Sequence, residues 1–362
     1  MRIVLAISSL GSGGAERVVA LLAGGLAARD HEVWLVTLTQ SGDDFFTLDP
    51  RVRRLGLGLI GDSPNMLHGL WANARRLRAL RRVVSTVEAH AVVSFMTSMN
   101  VLAILACVRL RVRVIVSERT DPAAHREARV WTALRSMLYQ HADVVVVQTE
   151  RIAEWFRKRL RKSARVVVIS NPVAPVSDFE PDVCESQPYI LAAGRLTHEK
   201  GFDLLIRAFA IARAQTRQLR LVIAGDGPEG QHLRDLAVEL GLGTRVSFRG
   251  RVRELSALMK AATAFILPSR YEGFPNVLLE ALVAGVPCVA ADCPGATREI
   301  LADGAYGLLV PPEDPGALAE AINLIATDSE LHKRFSGAGA AAIERYGLDR
   351  VVVEWERVLA GP

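Results

Sequence analysis

The sequence predicts an α/β protein made of two doubly wound parallel-sheet domains facing across a cleft. Three observations carry this. Short apolar runs recur along the chain, each followed by a polar or Gly-rich loop and then a segment of helical period. At 362 residues the chain exceeds what one core usually serves, so two domains of roughly 150–200 residues are expected. Between the two series, Ser170-Asn-Pro-Val-Ala-Pro175 loses periodicity and holds two prolines, which suits a linker. The domain boundary is therefore placed at 172/173.

Taken in order, Arg2 to Ser8 reads as a strand, Gly11, Gly13 and Gly14 as a tight loop, and Ala15 to Arg29 as a helix. Glycines there allow a backbone to approach an anion closely. Glu16 occupies the last position of the dinucleotide pattern G-x-G-x-x-G, which weakens a nicotinamide reading. Val33 to Thr39 and Val52 to Leu57 are the next strands. Ala91 to Phe95, Val112 to Val116, Val144 to Val147 and Val166 to Ile169 read as buried parallel strands, separated by helices such as Asn100 to Leu110 and Ala123 to Gln140. Ser94-Phe-Met-Thr97 and Ser117-Glu-Arg-Thr-Asp-Pro122 follow two strand ends, the edge at which open α/β sheets bind ligands.

Met66 to Val87 reads as a long helix carrying Arg75, Arg76, Arg78, Arg81 and Arg82. At about 100° per residue four of these share one arc, opposite Leu77, Leu80, Val83 and Val84. Leu67 and Trp71 fall on the arginine side, the pattern of interfacial helices; a solvated basic edge has equal weight. The net charge of +5 is uneven: residues 1–175 hold 25 Lys and Arg against 14 Asp and Glu, residues 176–362 hold 19 against 25. The first half thus suits an anionic partner, a membrane face or a diphosphate-bearing molecule. Nucleic acid is disfavoured because the basic segments lack interleaved aromatics.

In the second half Tyr189 to Gly194, Leu219 to Ala224, Val246 to Phe248, Ala264 to Leu267 and Pro287 to Ala290 are the strands, with Gly225-Asp-Gly-Pro228 as a turn. Leu318 to Ala326, Leu331 to Arg345 and Leu348 to Leu359 read as helices. The stretch Tyr271-Glu-Gly-Phe-Pro-Asn-Val-Leu-Leu-Glu280 joins two of the strands. Pro275 suits the first helical position, so a helix is expected to start there and aim its N–H groups at a phosphate. Asn276 and Glu280 share one helix face. Glu272 is free in the loop to accept hydrogen bonds from hydroxyls. Hydroxyls plus phosphates describe a nucleotide sugar.

Glu272 and Glu280, with Gly194-Arg-Leu-Thr-His-Glu-Lys200-Gly-Phe and Gly11-Ser-Gly-Gly-Ala-Glu-Arg17, resemble the E-x7-E signature and companion motifs of retaining GT-B glycosyltransferases of family 4. The resemblance spans nearly the whole chain. It implies two Rossmann-like domains, 1–172 on the acceptor side and 173–345 binding the nucleotide sugar, with 346–362 crossing back as a helix. It implies that Arg195 and Lys200 contact the donor diphosphate, Glu272 the sugar hydroxyls and Glu280 the ribose. The run Gly273, Phe274, Pro275, Asn276 and Val277 joins them at the donor. Gly250, Arg251 and Val252 look like the segment holding the base, and Gly14 would approach the diphosphate. Many relatives carry a histidine where this chain has Ser117-Glu118-Arg119; Glu118 is read instead as orienting the acceptor hydroxyl and Arg119 as contacting an anion. His125, His141 and His198 are isolated. The Ser-Glu-Arg loop, the Ser-Phe-Met-Thr segment and the basic helix together resemble those of transferases extending undecaprenyl-diphosphate-linked glycans with N-acetylhexosamine, with Trp71, Arg75, Arg78, Arg82 and Arg17 as acceptor or membrane contacts.

The expected reaction is retaining transfer of a hexose or N-acetylhexosamine from a UDP-linked donor to a glycan or polyprenyl-diphosphate-linked glycan. No Asp-x-Asp triplet occurs, so the scheme needs no metal and no cofactor. Two alternatives are a nucleotide-sugar 2-epimerase of the same fold and a non-catalytic membrane-associated partner. The four cysteines are scattered, as reduced thiols would be in the cytoplasm. No run of ~18 uncharged apolar residues suggests a transmembrane helix. Met1 to Ile7 is short for a signal sequence and is read as the first strand. A protein peripheral to the inner face of the cytoplasmic membrane is the expectation.

Overall fold

A computed structural model describes residues 1–42, 44–61, 65–123, 128–161, 164–175, 187–212 and 218–361. The Leu67 side chain, His125 and Cys184, used in the readings above, lie outside the described residues. The chain forms two compact units, Met1–Pro172 with Leu348–Pro362, and Val173–Gly347.

The first unit contains strands β1 Arg2–Ile7, β2 Glu32–Thr37, β3 Arg53–Gly56, β4 Ala91–Phe95, β5 Arg113–Ser117, β6 Val144–Val147 and β7 Val166–Val168. Its helices are α1 Gly14–Ala27, α2 Met66–Thr86, α3 Thr97–Cys107, α4 Arg129–Leu138 and α5 Glu150–Arg157. The second unit contains β8 Tyr189–Ala193, β9 Arg220–Ala224, β10 Val246–Gly250, β11 Ala264–Leu267, β12 Cys288–Ala291 and β13 Gly307–Val310. Its helices are α6 Phe202–Ile211, α7 Gly230–Glu239, α8 Leu255–Ala261, α9 Asn276–Val283, α10 Thr297–Ile300, α11 Pro315–Thr327, α12 Ser329–Ser336 and α13 Gly339–Tyr346. The closing helix α14, Leu348–Ala360, belongs to the first unit.

Among the described residues, the first sheet runs β3-β2-β1-β4-β5-β6-β7 and the second β10-β9-β8-β11-β12-β13, every pair parallel. Both are doubly wound, and the order reverses between β1 and β4 and again between β8 and β11. Their strands read as continuous apolar runs because both faces are covered. On β1, Ile3, Leu5 and Ile7 enter the core under α1 and α14, while Val4 and Ala6 enter the one under α2 and α3. The second sheet likewise has a core on each face.

Three element readings need correction. The helix expected over Leu331 to Arg345 is two, α12 and α13, which part at Gly337 and Ala338. Strand β13 was not anticipated, nor were α5, α6, α7, α8 and α10. On α2 the arginines divide: Arg75, Arg78 and Arg82 are exposed, but Arg76 donates to the carbonyls of Leu59 (2.9 Å) and Gly61 (3.2 Å). Arg81 donates to the carbonyls of Ala106 and Val108 at the end of α3 (2.7 and 2.8 Å). Leu80 and Val84 lie buried on the opposite side, as the periodicity requires.

Candidate active site

Where the strand order reverses in an open α/β sheet, the loops leaving the two central strands diverge and open a crevice. In the second unit these loops follow β8 and β11. The first, Gly194 to Gly201, ends in a 3-10 turn, His198–Lys200. The second, Pro268 to Pro275, leads into α9. Among the bonds that join them is an ion pair: Lys200 Nζ lies 2.8 and 2.9 Å from the two carboxylate oxygens of Glu272. Ser269 Oγ donates to Glu272 at 2.7 Å. Glu272 is only 5% exposed, so this carboxylate is not free in its loop, contrary to the sequence reading. A buried carboxylate without a counter-charge would be costly, and Lys200 supplies that counter-charge.

The backbone of Glu272 is also fixed: its N–H donates to the Pro294 carbonyl at 2.9 Å. Gly295 follows with φ of +141°, and a Cβ there would overlap the Glu272 carbonyl oxygen. Only glycine lets the two loops approach this closely. Helix α9 begins one residue later than expected. Pro275 is its cap, because ψ of 85° leaves the helical region although φ of −76° suits it. No side chain caps this end, while Leu278, Leu279 and Leu282 anchor the helix in the core and Asn276 and Glu280 share its half-buried side.

Arg195 is exposed at the start of the first loop, just after β8. Burial pushes the Glu199 carboxyl up, but hydrogen bonds from Thr197 and the backbone, with the charges of Lys200 and Arg195, leave it below its ordinary value. The neighbouring edge is continuous with the site: Leu196 N–H donates to Asp226 O (3.0 Å), and Gly225 N–H to Gly250 O (2.7 Å). Arg251 pairs with Asp226 at 3.4 Å on the surface, and Val252 packs partly buried against the core.

In the first unit the corresponding loops follow β1, β4 and β5. Gly14 opens α1, with the carboxylate of Glu16 close against the Gly13 backbone, and the Arg17 guanidinium lies 6.0 Å from the Phe46 ring. After β5, Glu118 is fully buried and saturated. It accepts from Thr97 Oγ1 (3.0 and 3.3 Å), Tyr139 OH (2.9 Å), Thr120 Oγ1 (3.1 Å) and the Arg119 N–H (3.2 Å), with Arg135 at 3.8 Å. Tyr139 in turn accepts from Asn100 Nδ2 at 2.8 Å. Burial first, then Glu118, raises the Tyr139 hydroxyl well above its ordinary pKa, so it stays a donor. Glu118 thus ties its own loop to Thr97 and Tyr139, with both carboxylate oxygens occupied.

Arg119, next in the chain, is 9% exposed. Its guanidinium lies over Phe95 (5.0 Å) and Trp355 (5.9 Å) and donates through Nη1 to Asn171. Its Nε and Nη2 are buried without a hydrogen-bond partner. Burial lowers its pKa to about 9, which leaves it a cation at neutral pH.

A model of the family described as Glycosyl transferases group 1 matches residues 176–341, and one described as Glycosyltransferase Family 4 matches residues 12–176. The chain is a GT-B glycosyltransferase. Over 99% of its length it is 28% identical to, and covers 98% of, a Campylobacter jejuni subsp. jejuni serotype O:2 protein. That relative is named GalNAc-alpha-(1->4)-GalNAc-alpha-(1->3)-diNAcBac-PP-undecaprenol alpha-1,4-N-acetyl-D-galactosaminyltransferase. Among solved structures it resembles sucrose-phosphate synthase from Thermosynechococcus elongatus, with a TM-score of 0.85 at 20% identity and 99% and 98% of the chains covered. Anabaena HepE in complex with UDP and glucose gives 0.78 at 20% identity, with 99% of each chain covered.

In this glycosyltransferase the structure brings Lys200, Glu272, Arg195 and the start of α9 to one strand edge. Sequence reasoning missed Ser269, Gly295, Asn100 and Tyr139. A serine three residues before Glu272 and a Pro-Gly pair after the next strand were legible signals. Asn100 and Tyr139 were not: Asn100 sits in the apolar helix α3, and Tyr139 opens a short 3-10 turn, Tyr139–His141. On α2, Trp71 is 59% and Leu70 64% exposed, and the Arg75 guanidinium lies 4.7 Å from the Trp71 ring centre. Among the described residues no helix is long and apolar enough to cross a membrane.

Proposed function

We propose that the enzyme moves a hexose or N-acetylhexosamine from a UDP-linked donor to a glycan carried on polyprenyl diphosphate, with retention at the anomeric carbon. The observation that carries this is the Lys200–Glu272 pair at the strand-order reversal, beside an uncapped helix start. Sugar hydroxyls would replace Lys200 as donors to Glu272, which frees the ammonium for the diphosphate. As the bond from the anomeric carbon to the diphosphate breaks, Lys200, Arg195 and the positive end of the α9 dipole offset the growing charge. The acceptor oxygen bonds to that carbon on the same face, and its proton passes to the departing diphosphate. No protein nucleophile is required.

Glu280 would hold the ribose, the Gly250 to Val252 backbone the base, and Gly273 and Phe274 the loop shape. Gly14 and Arg17 belong to the same reading at the β1 edge. Arg119 would meet the acceptor's anionic group with its two unpartnered N–H donors. The acceptor class follows the undecaprenol-linked substrate in the Campylobacter relative's name. In this reading the enzyme works at the inner face of the cytoplasmic membrane, with Trp71, Arg75, Arg78 and Arg82 towards the lipid. Glu272→Ala and Lys200→Ala should each cut UDP release with lipid-linked acceptor at least ~100-fold, the scale of losing a charge-stabilising group. Near-normal turnover in both variants would sink the proposal, and epimer formed from the donor alone would replace it with the epimerase.

A further inference from the structure

Arg270 stands two residues before Glu272 and is tied to the other loop at several points. Its backbone N–H donates to the Glu199 carbonyl at 2.9 Å. Its guanidinium donates to the His198 carbonyl at 2.7 Å, to both carboxylate oxygens of Asp203 at 2.8 and 2.7 Å, and through Nε to Glu313 at 3.1 Å. The side chain is 13% exposed. The contacts flank Lys200 on both sides, since His198 and Glu199 precede it and Asp203 lies in the first turn of α6. Gly201, left-handed at φ of +65°, seats this turn so closely on the Pro268 carbonyl that a Cβ would collide with it. A planar fork bonded at every nitrogen holds direction as well as charge, which a lysine ammonium does not.

We propose that Arg270 is a positioning residue: it clamps the 3-10 turn carrying Lys200 against the loop carrying Glu272 and so sets the geometry of that pair for catalysis. Arg270 bonds protein groups on all sides, so it acts through Lys200 and Glu272 rather than on the substrate. The inference rests on the donor-site reading above. An error of about 1 Å in placing a catalytic group costs on the order of 10²-fold in rate.

The test compares Arg270→Ala, Arg270→Lys and Asp203→Asn with Lys200→Ala and the Lys200→Ala/Arg270→Ala double variant. kcat, donor KM and thermal melting are measured on the full-length enzyme. Arg270→Ala should lower kcat at least tenfold with donor KM within about threefold of wild type, and Arg270→Lys should recover only part of the loss. The double variant should be no slower than about twofold below Lys200→Ala alone, because the clamp has then nothing left to position. Asp203→Asn keeps the shape and weakens the fork, so it reports the same direction if Arg270→Ala does not fold. Additive losses in the double variant, or a fall in melting temperature with kcat unchanged, would overturn the proposal. Wild-type turnover in Lys200→Ala would instead overturn the donor-site reading and leave Arg270 as a structural bond.

Discussion

Two buried carboxylates in this enzyme meet opposite fates. Glu118 receives hydroxyl and amide donors on both oxygens, from the buried Thr97, Tyr139 and Arg119 N–H and the part-buried Thr120. Glu272 is held by one hydroxyl and one lysine ammonium on a flexible stem, which a ligand's hydroxyls can displace. The difference follows from neighbours, not from the residue type. Removing Glu118 strands Tyr139, Thr97 and the Arg135 charge. Glu118→Ala should therefore cost about 3 kcal/mol of stability, read as a lowered denaturant midpoint. Glu118→Gln should fold better and turn over at close to the wild-type rate. A Glu118→Gln protein of normal stability and collapsed turnover would restore its catalytic role.

At the scale of elements, α14 shows how packing completes a unit from a distant piece of chain. Val351, Val352, Trp355, Val358 and Leu359 fill the core beneath α1, and Arg113 Nε caps the helix end at the Val358 carbonyl (2.9 Å). Arg29 and His31 hold Glu356 at 3.0 Å each. Trp355 is fully buried against Phe95 and under Arg119. Trp355→Ala should lower stability by about 3–5 kcal/mol, measured by thermal or denaturant unfolding. A loss below 1 kcal/mol would mean that the helix contributes little to this core. Elsewhere the period alone misled: Ala338 to Ile343 extends the apolar rhythm of Leu331 and Phe335, yet the chain breaks at Gly337, because α12 packs on one core and α13 on the other. Strand β13 escaped notice for a related reason. A four-residue apolar run beside glycines fits several local structures, and only pairing with β12 selects the strand.

For the whole molecule, the excess of cations in residues 1–175 gathers meaning from α2. Two of its five clustered arginines bond backbone carbonyls, and the exposed three lie with Trp71 and Leu70 on its outer side. Basic residues near an anionic leaflet contribute about 1 kcal/mol each. Sedimentation with vesicles containing phosphatidylglycerol should therefore fall roughly 100-fold in affinity for Arg75→Ala/Arg78→Ala/Arg82→Ala. Raising salt should weaken the wild type in the same way. Binding that is equal for both proteins, or indifferent to salt, would remove α2 from the membrane contact.

The sequence by itself determined the strand-and-helix alternation, the two series of strands, the loops at their carboxyl ends and the motifs that hold Arg195, Lys200, Glu272 and Glu280. These are local properties: apolar runs, glycine punctuation and short motifs need no distant partner to be read. Only the tertiary structure decided that Lys200 bonds Glu272 across 72 positions, that both oxygens of the buried Glu118 are occupied, and that Arg270 ties the two loops together. Hydrogen bonds of that kind depend on which loops the sheet order brings side by side, and burial fixes whether a carboxylate is available or consumed. Neither is written in the spacing of the residues along the chain.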